Sequence, residues 1–183
     1  MTQLWKYLSE PEEIKVGRRT LIRKTFERPD GIAAEYVTVG GLKVRHGAVI
    51  ALTPENMVVV AEQFRPGPEM IMQEIPGGNV EEGEDPQAAA MRELREEVGY
   101  ASDEVEFLGS TRKDAYMNAT WYFYLARNCQ LLHEQDLDEG EFVTIRLITI
   151  DELIANAKEG RMTDASAVLM AYEQLEQTQQ EDK

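Results

Sequence analysis

One cysteine and two histidines stand among 183 residues. Cys129 alone excludes an internal disulfide and a multi-cysteine zinc centre, and His46 and His133 are too few for a histidine-rich one. Any metal held by this chain therefore rests on oxygen ligands. Cys129 itself reads as a small packing residue in a strand. Positive charge is also scarce. The 19 Lys and Arg against 34 Asp and Glu leave a formal net charge of -15, which argues against broad binding to nucleic acid or an anionic membrane. No apolar run approaches bilayer-spanning length. The opening MTQLWKYLSEPEE has neither the basic start nor the apolar core of a signal peptide, so cytoplasmic residence is the expectation. With 43% hydrophobic and 29% charged residues, the rest is ordinary globular composition, enough for one domain or one domain with a small appendage.

The acidity is uneven. Residues 15–48 hold Lys15, Arg18, Arg19, Arg23, Lys24, Arg28, Lys43 and Arg45 against Glu27, Asp30 and Glu35, and eight minus three gives +5 locally. A modest basic surface in an acidic chain suits a small phosphate-bearing ligand, although a solvated strand ribbon has the same composition.

Residues 12–28 and 32–39 read as β-rich segments forming an antiparallel hairpin around Arg28-Pro29-Asp30-Gly31. Gly40-Gly41 separates them from a strand over 42–52, and Pro54-Glu55-Asn56 precedes another over 56–63. Residues 70–75 lead into Pro76-Gly77-Gly78. Further strands are expected at 105–111, 120–127 and 142–150, the second carrying Trp121, Tyr122, Phe123 and Tyr124 as sheet packing. Asp151 reads as the N-cap of a helix through Lys158. A last helix over 164–177 places Val168, Leu169, Tyr172 and Leu175 on its core stripe and leaves TQQEDK as a frayed tail.

The most informative segment is GNVEEGEDPQAAAMRELREEVGY, from Gly78 to Tyr100. Asp85 suits a helix N-cap, Pro86 the first helical position, and Gly99 a left-handed stop. Ala90, Met91, Leu94 and Val98 recur at helical spacing and face the core, while Glu93, Glu96 and Glu97 project from an adjoining face. Glu93 and Glu97 lie one turn apart. Like charges at that spacing cost an isolated helix roughly 0.2–0.5 kcal/mol per pair, so they need either plain solvent or a cation. Carboxylates suit hard divalent ions, Mg2+ or Mn2+.

The spacing of these residues favours a cation over plain solvent. The segment resembles the Nudix box, G-x5-E-x7-R-E-U-x-E-E-x-G-U with U bulky and aliphatic, at Gly78, Glu84, Arg92, Glu93, Leu94, Glu96, Glu97 and Gly99; Tyr100 departs at the final position. The likeness extends across EQFRPG, EIPGG and DEGEFVTI, and the whole order is similar to the branch of ADP-ribose and nucleoside diphosphate sugar pyrophosphatases. It implies an α/β Nudix fold, a mixed β-sheet sandwiched between helices with an N-terminal antiparallel β-sheet appendage. The implied division is residues 1–45 as a dimerisation and substrate segment and 46–183 as the hydrolase domain, in a homodimer.

By the same resemblance Glu93, Glu97, Glu96, the Gly77 carbonyl and Glu141 are metal ligands. Arg92 orients the carboxylates, Glu84 holds that arginine or helps at the metal, and Gly78 lets the loop approach. Glu139 is the general base, with Glu96 or Glu97 as the alternative if turnover survives its loss. Arg65 is placed to hold phosphate and Glu74 to lie near the ligand, unless the two form a structural ion pair. Trp5, Phe26 or Tyr36 is available to stack on a base, although aromatic packing is the simpler expectation.

The implied reaction is Mg-dependent cleavage of ADP-ribose or a nucleoside diphosphate sugar into a nucleoside monophosphate and a sugar phosphate. Many relatives carry a proline about sixteen residues past the box, where this chain has Arg112-Lys113-Asp114-Ala115-Tyr116-Met117, so ADP-ribose stands beside other nucleotide sugars. A noncatalytic nucleotide-sugar sensor, a hydrolase of dinucleoside polyphosphates and an isomerase dependent on Cys129 are the competing readings. Small nucleotide-sugar substrates, rather than nucleic acid or membrane, are the expected partners.

Overall fold

The computed structural model describes residues 3–181. Two compact units emerge: the chain up to Val44 with Arg112–Thr120, and Arg45–Thr111 with Trp121 onward.

In the first unit, strands β1 (Lys6–Tyr7), β2 (Glu12–Val16), β3 (Arg19–Glu27) and the first part of β4 (Ala33–Leu52) form antiparallel pairs around β3. The hairpin expected at Arg28–Gly31 is present, with the Arg28 N–H donating to the Ile32 carbonyl at 2.9 Å and the Ile32 N–H donating to Asp30 at 3.2 Å. Residues 12–28 are two strands rather than one run. Trp5, Phe26 and Tyr36 pack on one another, at centroid separations of 5.9 to 6.5 Å, as aromatic packing predicts. Gly40-Gly41 does not end a strand. Gly40 takes φ +92° inside a continuous twenty-residue β4, because cross-strand bonds carry the ladder through it; the Val39 N–H donates to the Tyr116 carbonyl and the Asn118 amide to the Gly41 carbonyl.

The second unit contains the rest of β4 with β5 (Val58–Arg65), β6 (Met70–Glu74), β7 (Gly77–Asn79), β8 (Tyr100–Ala101), β9 (Glu104–Thr111), most of β10 (Met117–Arg127), β11 (Gln130–Leu131) and β12 (Thr144–Ile148). Its helices are α1 (Pro86–Val98), α2 (Ile150–Glu159), α3 (Ala165–Met170) and α4 (Tyr172–Glu181). Strand β5 is central, antiparallel to β4, β6 and β12.

Strands β4 and β5 are apolar on successive residues because helices cover both faces. Ile50, Leu52, Val58 and Val60 join Phe123, Leu153, Val168 and Leu175 beneath α2–α4, whereas Val49, Ala51, Val59 and Ala61 join Ala90, Leu94 and Val98 of α1. The expected helix–sheet–helix sandwich follows from that alternation.

Several boundaries differ from expectation for identifiable reasons. Thr149, not Asp151, caps α2: its hydroxyl accepts from the Glu152 N–H while Glu152 accepts from the Thr149 N–H, a capping box that leaves Asp151 inside the first turn. The last helix is two. Ala171 sits at φ -89°, ψ 1°, and this bridge-region residue changes the helical phase. Ala167, Val168, Ala171 and Leu175 face inward, leaving Leu169 78% and Tyr172 37% exposed. Helix α4 runs through Glu181, so Thr178 to Gln180 are helical rather than frayed, and the final two residues of the expected tail lie outside the described residues. Strand β12 begins at Thr144, leaving Phe142 83% exposed. Cys129 is buried as expected but lies between β10 and β11, its N–H donating to the Leu52 carbonyl at 2.8 Å.

Candidate functional site

Helix α1 starts and stops as its sequence dictates. Asp85 accepts from the Gln87 N–H at 2.9 Å, Pro86 occupies the first turn, and Gly99 at φ +74° returns its N–H to the Arg95 carbonyl. Burial of Ala90, Leu94 and Val98 fixes the helix rotation, which turns Glu93 and Glu97 towards β7. That short strand, unforeseen in Pro76-Gly77-Gly78, pairs with β4 through Ala48↔Gly77 and Gly47↔Gly78. A β-carbon on Gly78 would lie 2.9 Å from one Glu93 carboxylate oxygen and nearer still to the other. The absent side chain is what lets strand and carboxylate meet.

Arg92 organises the glutamates. Its guanidinium donates to Glu84 at 3.1 Å, to Glu93 and Glu96 at 2.9 Å each, and to the Asn79 carbonyl at 3.0 Å. The Glu84 hydrogen bond is the largest cause raising the pKa of Arg92, and Arg92 in turn lowers that of Glu84. Glu97, only 8% exposed, accepts the Gly77 N–H at 3.0 Å. Burial pushes its carboxyl up to about 8, with Glu93, Glu141 and Glu74 adding to the rise and the Gly77 N–H opposing it. Burial also raises Glu93, against the pull of Arg92.

A cavity of about 540 Å³ collects these groups, a size within the range of small-molecule sites. Its lining includes Gly77, Gly78, Arg92, Glu93, Glu96 and Glu97, with Gln63 and Arg65 from β5, Asn79 at the end of β7, Glu81 just beyond it, and Asp136, Leu137, Asp138 and Glu141 from the loop before β12. Of the acidic residues singled out in the sequence, Glu139, Glu74 and Glu84 are absent from the lining, and Glu84 instead holds Arg92. Glu139 lies in an exposed turn, while Glu74 is buried behind Arg65. Arg65 makes a two-pronged ion pair with Glu74, Nε to Oε1 at 2.5 Å, and Gln63 donates to the same carboxylate at 3.3 Å. Arg65 thus belongs both to an ion pair and to the cavity wall. Asp136 and Gln63 escaped the sequence reading; the acidic run EQDLDEGE was the available signal for the former.

Among the described residues, no three His, Cys, Asp or Glu side chains already converge as a ready-made metal site. Arg92 engages Glu93 and Glu96, and the Gly77 N–H engages Glu97. The donor set nonetheless fits a hard divalent cation: it is all oxygen, carries excess negative charge and includes two carboxylates whose ionisation burial opposes. No helix of the described residues is long and apolar enough to cross a membrane.

Residues 43–170 match the NUDIX domain. The chain is 39% identical over 140 residues to a methanol dehydrogenase activator of Bacillus methanolicus, covering 73% of this chain and 76% of the relative. It is 32% identical over 139 residues to an ADP-ribose pyrophosphatase of Bacillus subtilis (strain 168), covering 74% and 75%. Among solved structures, an ADP compounds hydrolase shares the fold at a TM-score of 0.80 over 97% of both chains, with 18% identity. The box register, the helix–sheet–helix sandwich and the match across residues 43–170 together make this chain a member of the NUDIX domain family, whose hydrolases generally use divalent metals.

Proposed function

We propose that this chain is a pyrophosphatase that hydrolyses ADP-ribose or a nucleoside diphosphate sugar, giving a nucleoside monophosphate and a sugar phosphate. The observation that carries the reading is one cavity in which Glu93, Glu96, Glu97 and Glu141 face the guanidinium groups of Arg65 and Arg92. Similarity to the B. subtilis ADP-ribose pyrophosphatase supports the substrate class.

Glu93, Glu96, Glu97, Glu141 and the Gly77 carbonyl hold Mg2+, with Mn2+ as a substitute. When bound, such an ion neutralises phosphate charge and acidifies water. Arg65, steadied by Glu74, binds a phosphate oxygen through the part of its guanidinium that faces the cavity. Arg92 keeps Glu93 and Glu96 oriented. Glu139, on the loop that also carries Glu141, takes the proton of the attacking water, and Glu96 or Glu97 is the substitute base. Residues 1–45 serve dimerisation and substrate contact, and residues 46–183 the hydrolase chemistry, in a cytoplasmic homodimer that acts on neither nucleic acid nor membrane.

The test is a panel of ADP-ribose, nucleotide sugars, dinucleoside polyphosphates and nucleoside triphosphates with Mg2+, read as phosphate liberated by added phosphatase. Cleavage of the first two classes, abolished by chelation, is expected. Tight binding without cleavage would make the protein a sensor, and exclusive cleavage of dinucleoside polyphosphates would reassign the substrate.

A further inference from the structure

The loop carrying Asp136, Asp138 and Glu141 is tied to the helix of the Nudix box by a side chain outside the cavity. The Gln135 amide nitrogen donates to the Glu97 carbonyl at 2.6 Å and to the Val143 carbonyl at 3.5 Å. Glu97 lies in the last turn of α1, where carbonyls have no partner further along the helix and carry the negative end of its dipole. Val143 is the last residue before β12. One amide therefore joins the helix end to both ends of the loop, and the next residue reinforces it, the Asp136 N–H donating to the Glu96 carbonyl at 2.8 Å. Between these ties the loop closes on itself: the Glu141 N–H donates to the Asp138 carbonyl at 3.0 Å, and the Asp138 N–H to the Glu141 carboxylate at 3.3 Å.

We propose that Gln135 is a positioning residue, whose side-chain amide clamps the 136–141 loop to the C-terminal turn of α1 and so holds Glu141 opposite Glu93 and Glu97. This rests on the pyrophosphatase reading of the site. The residue type matters: the clamp needs a donor that reaches two carbonyls, which glutamine supplies and its isosteric glutamate does not.

The full-length protein and its Gln135→Ala, Gln135→Glu and Gln135→Lys variants test this by steady-state kinetics on ADP-ribose, by Mg2+ titration, and by hydrogen exchange of the 136–141 amides. In Gln135→Ala, kcat is expected to fall about ten- to one-hundredfold, as misplacement of a reacting group by around 1 Å does. KM should change little, the Mg2+ midpoint should rise and the loop amides should exchange faster. Gln135→Glu sets a carboxylate against two carbonyls and falls further. Gln135→Lys donates to both and favours the helix end, and so recovers much of kcat. Unchanged loop exchange, or faster exchange with normal kcat and Mg2+ midpoint, overturns the proposal. A wild-type protein that cleaves nothing on the panel sinks the pyrophosphatase reading instead, and loop exchange still decides whether Gln135 is the clamp.

Discussion

The Glu97 carboxylate takes the backbone N–H of Gly77 at 3.0 Å, so a strand residue twenty positions upstream holds the most deeply buried glutamate of the box in place. The carboxyl is pushed up to about 8, chiefly by burial. The unfolded chain releases this proton near the ordinary 4.5, so between about 4.5 and 8 the folded state binds the extra proton. Its contribution to stability therefore falls as pH rises through that window and levels off above it. Urea midpoints in EDTA at pH 5, 7 and 9, taken as wild type minus Glu97→Gln, should become less favourable to wild type with pH. A difference independent of pH would contradict this. The amide keeps an oxygen for the Gly77 N–H but loses the charge, so turnover of Glu97→Gln should drop at least about a hundredfold.

Gly78→Ala places a methyl group into the Glu93 carboxylate. Overpacking of this kind typically costs about 1–3 kcal/mol, and here the displaced atoms are those expected to bind the cation. The melting temperature should fall by several degrees and Mg2+ affinity should weaken, measured by thermal unfolding and calorimetric titration. Wild-type Mg2+ affinity in this variant would show that Glu93 is free to move aside.

Glu74 tests whether Arg65 is prepared for its ligand. The Glu74 hydrogen bond is the leading cause raising the pKa of Arg65, and Glu74 itself lies behind the cavity wall. Glu74→Gln retains a single hydrogen bond and loses the paired charge, so KM should rise about tenfold with a smaller change in kcat. A large fall in kcat at constant KM would place Glu74 in the chemistry rather than behind it.

The single thiol provides a probe of folding. Burial pushes Cys129 up to about 12, far above the range in which a thiolate is available at neutral pH. Native protein at pH 8 should react with a disulfide reagent only through opening of the fold, and completely once urea is added. Rapid stoichiometric labelling without denaturant would show that the β10–β11 connection is open.

Local chemistry is what the sequence shows most clearly. Helix α1 is legible because Asp85, Pro86 and Gly99 terminate it within its own segment. The cap of α2 was equally local, in Thr149 and Glu152, but Asp151 offered a competing cap of the same chemistry. Gly40 misleads because a glycine pair usually interrupts a strand, whereas tertiary neighbours sustain this one. In the site, Glu93, Glu96 and Glu97 follow from helical register, while Asp136 and Gln135 depend on how a loop folds back over that helix. Glu139 and Glu141 show the limit most directly: two residues apart, one lies in the exposed turn and the other reaches the cavity, a distinction that rests on turn geometry.

The interleaving of β4 has a consequence for folding fidelity. Val49 and Ala51 serve one core while Ile50 and Leu52 serve the other. A slip by one position would exchange both sets at once, presenting branched side chains to holes shaped for different volumes above and below the sheet. Mispaired intermediates thus carry a double misfit with no polar face to absorb it, and alignment of this strand is proofread from both sides.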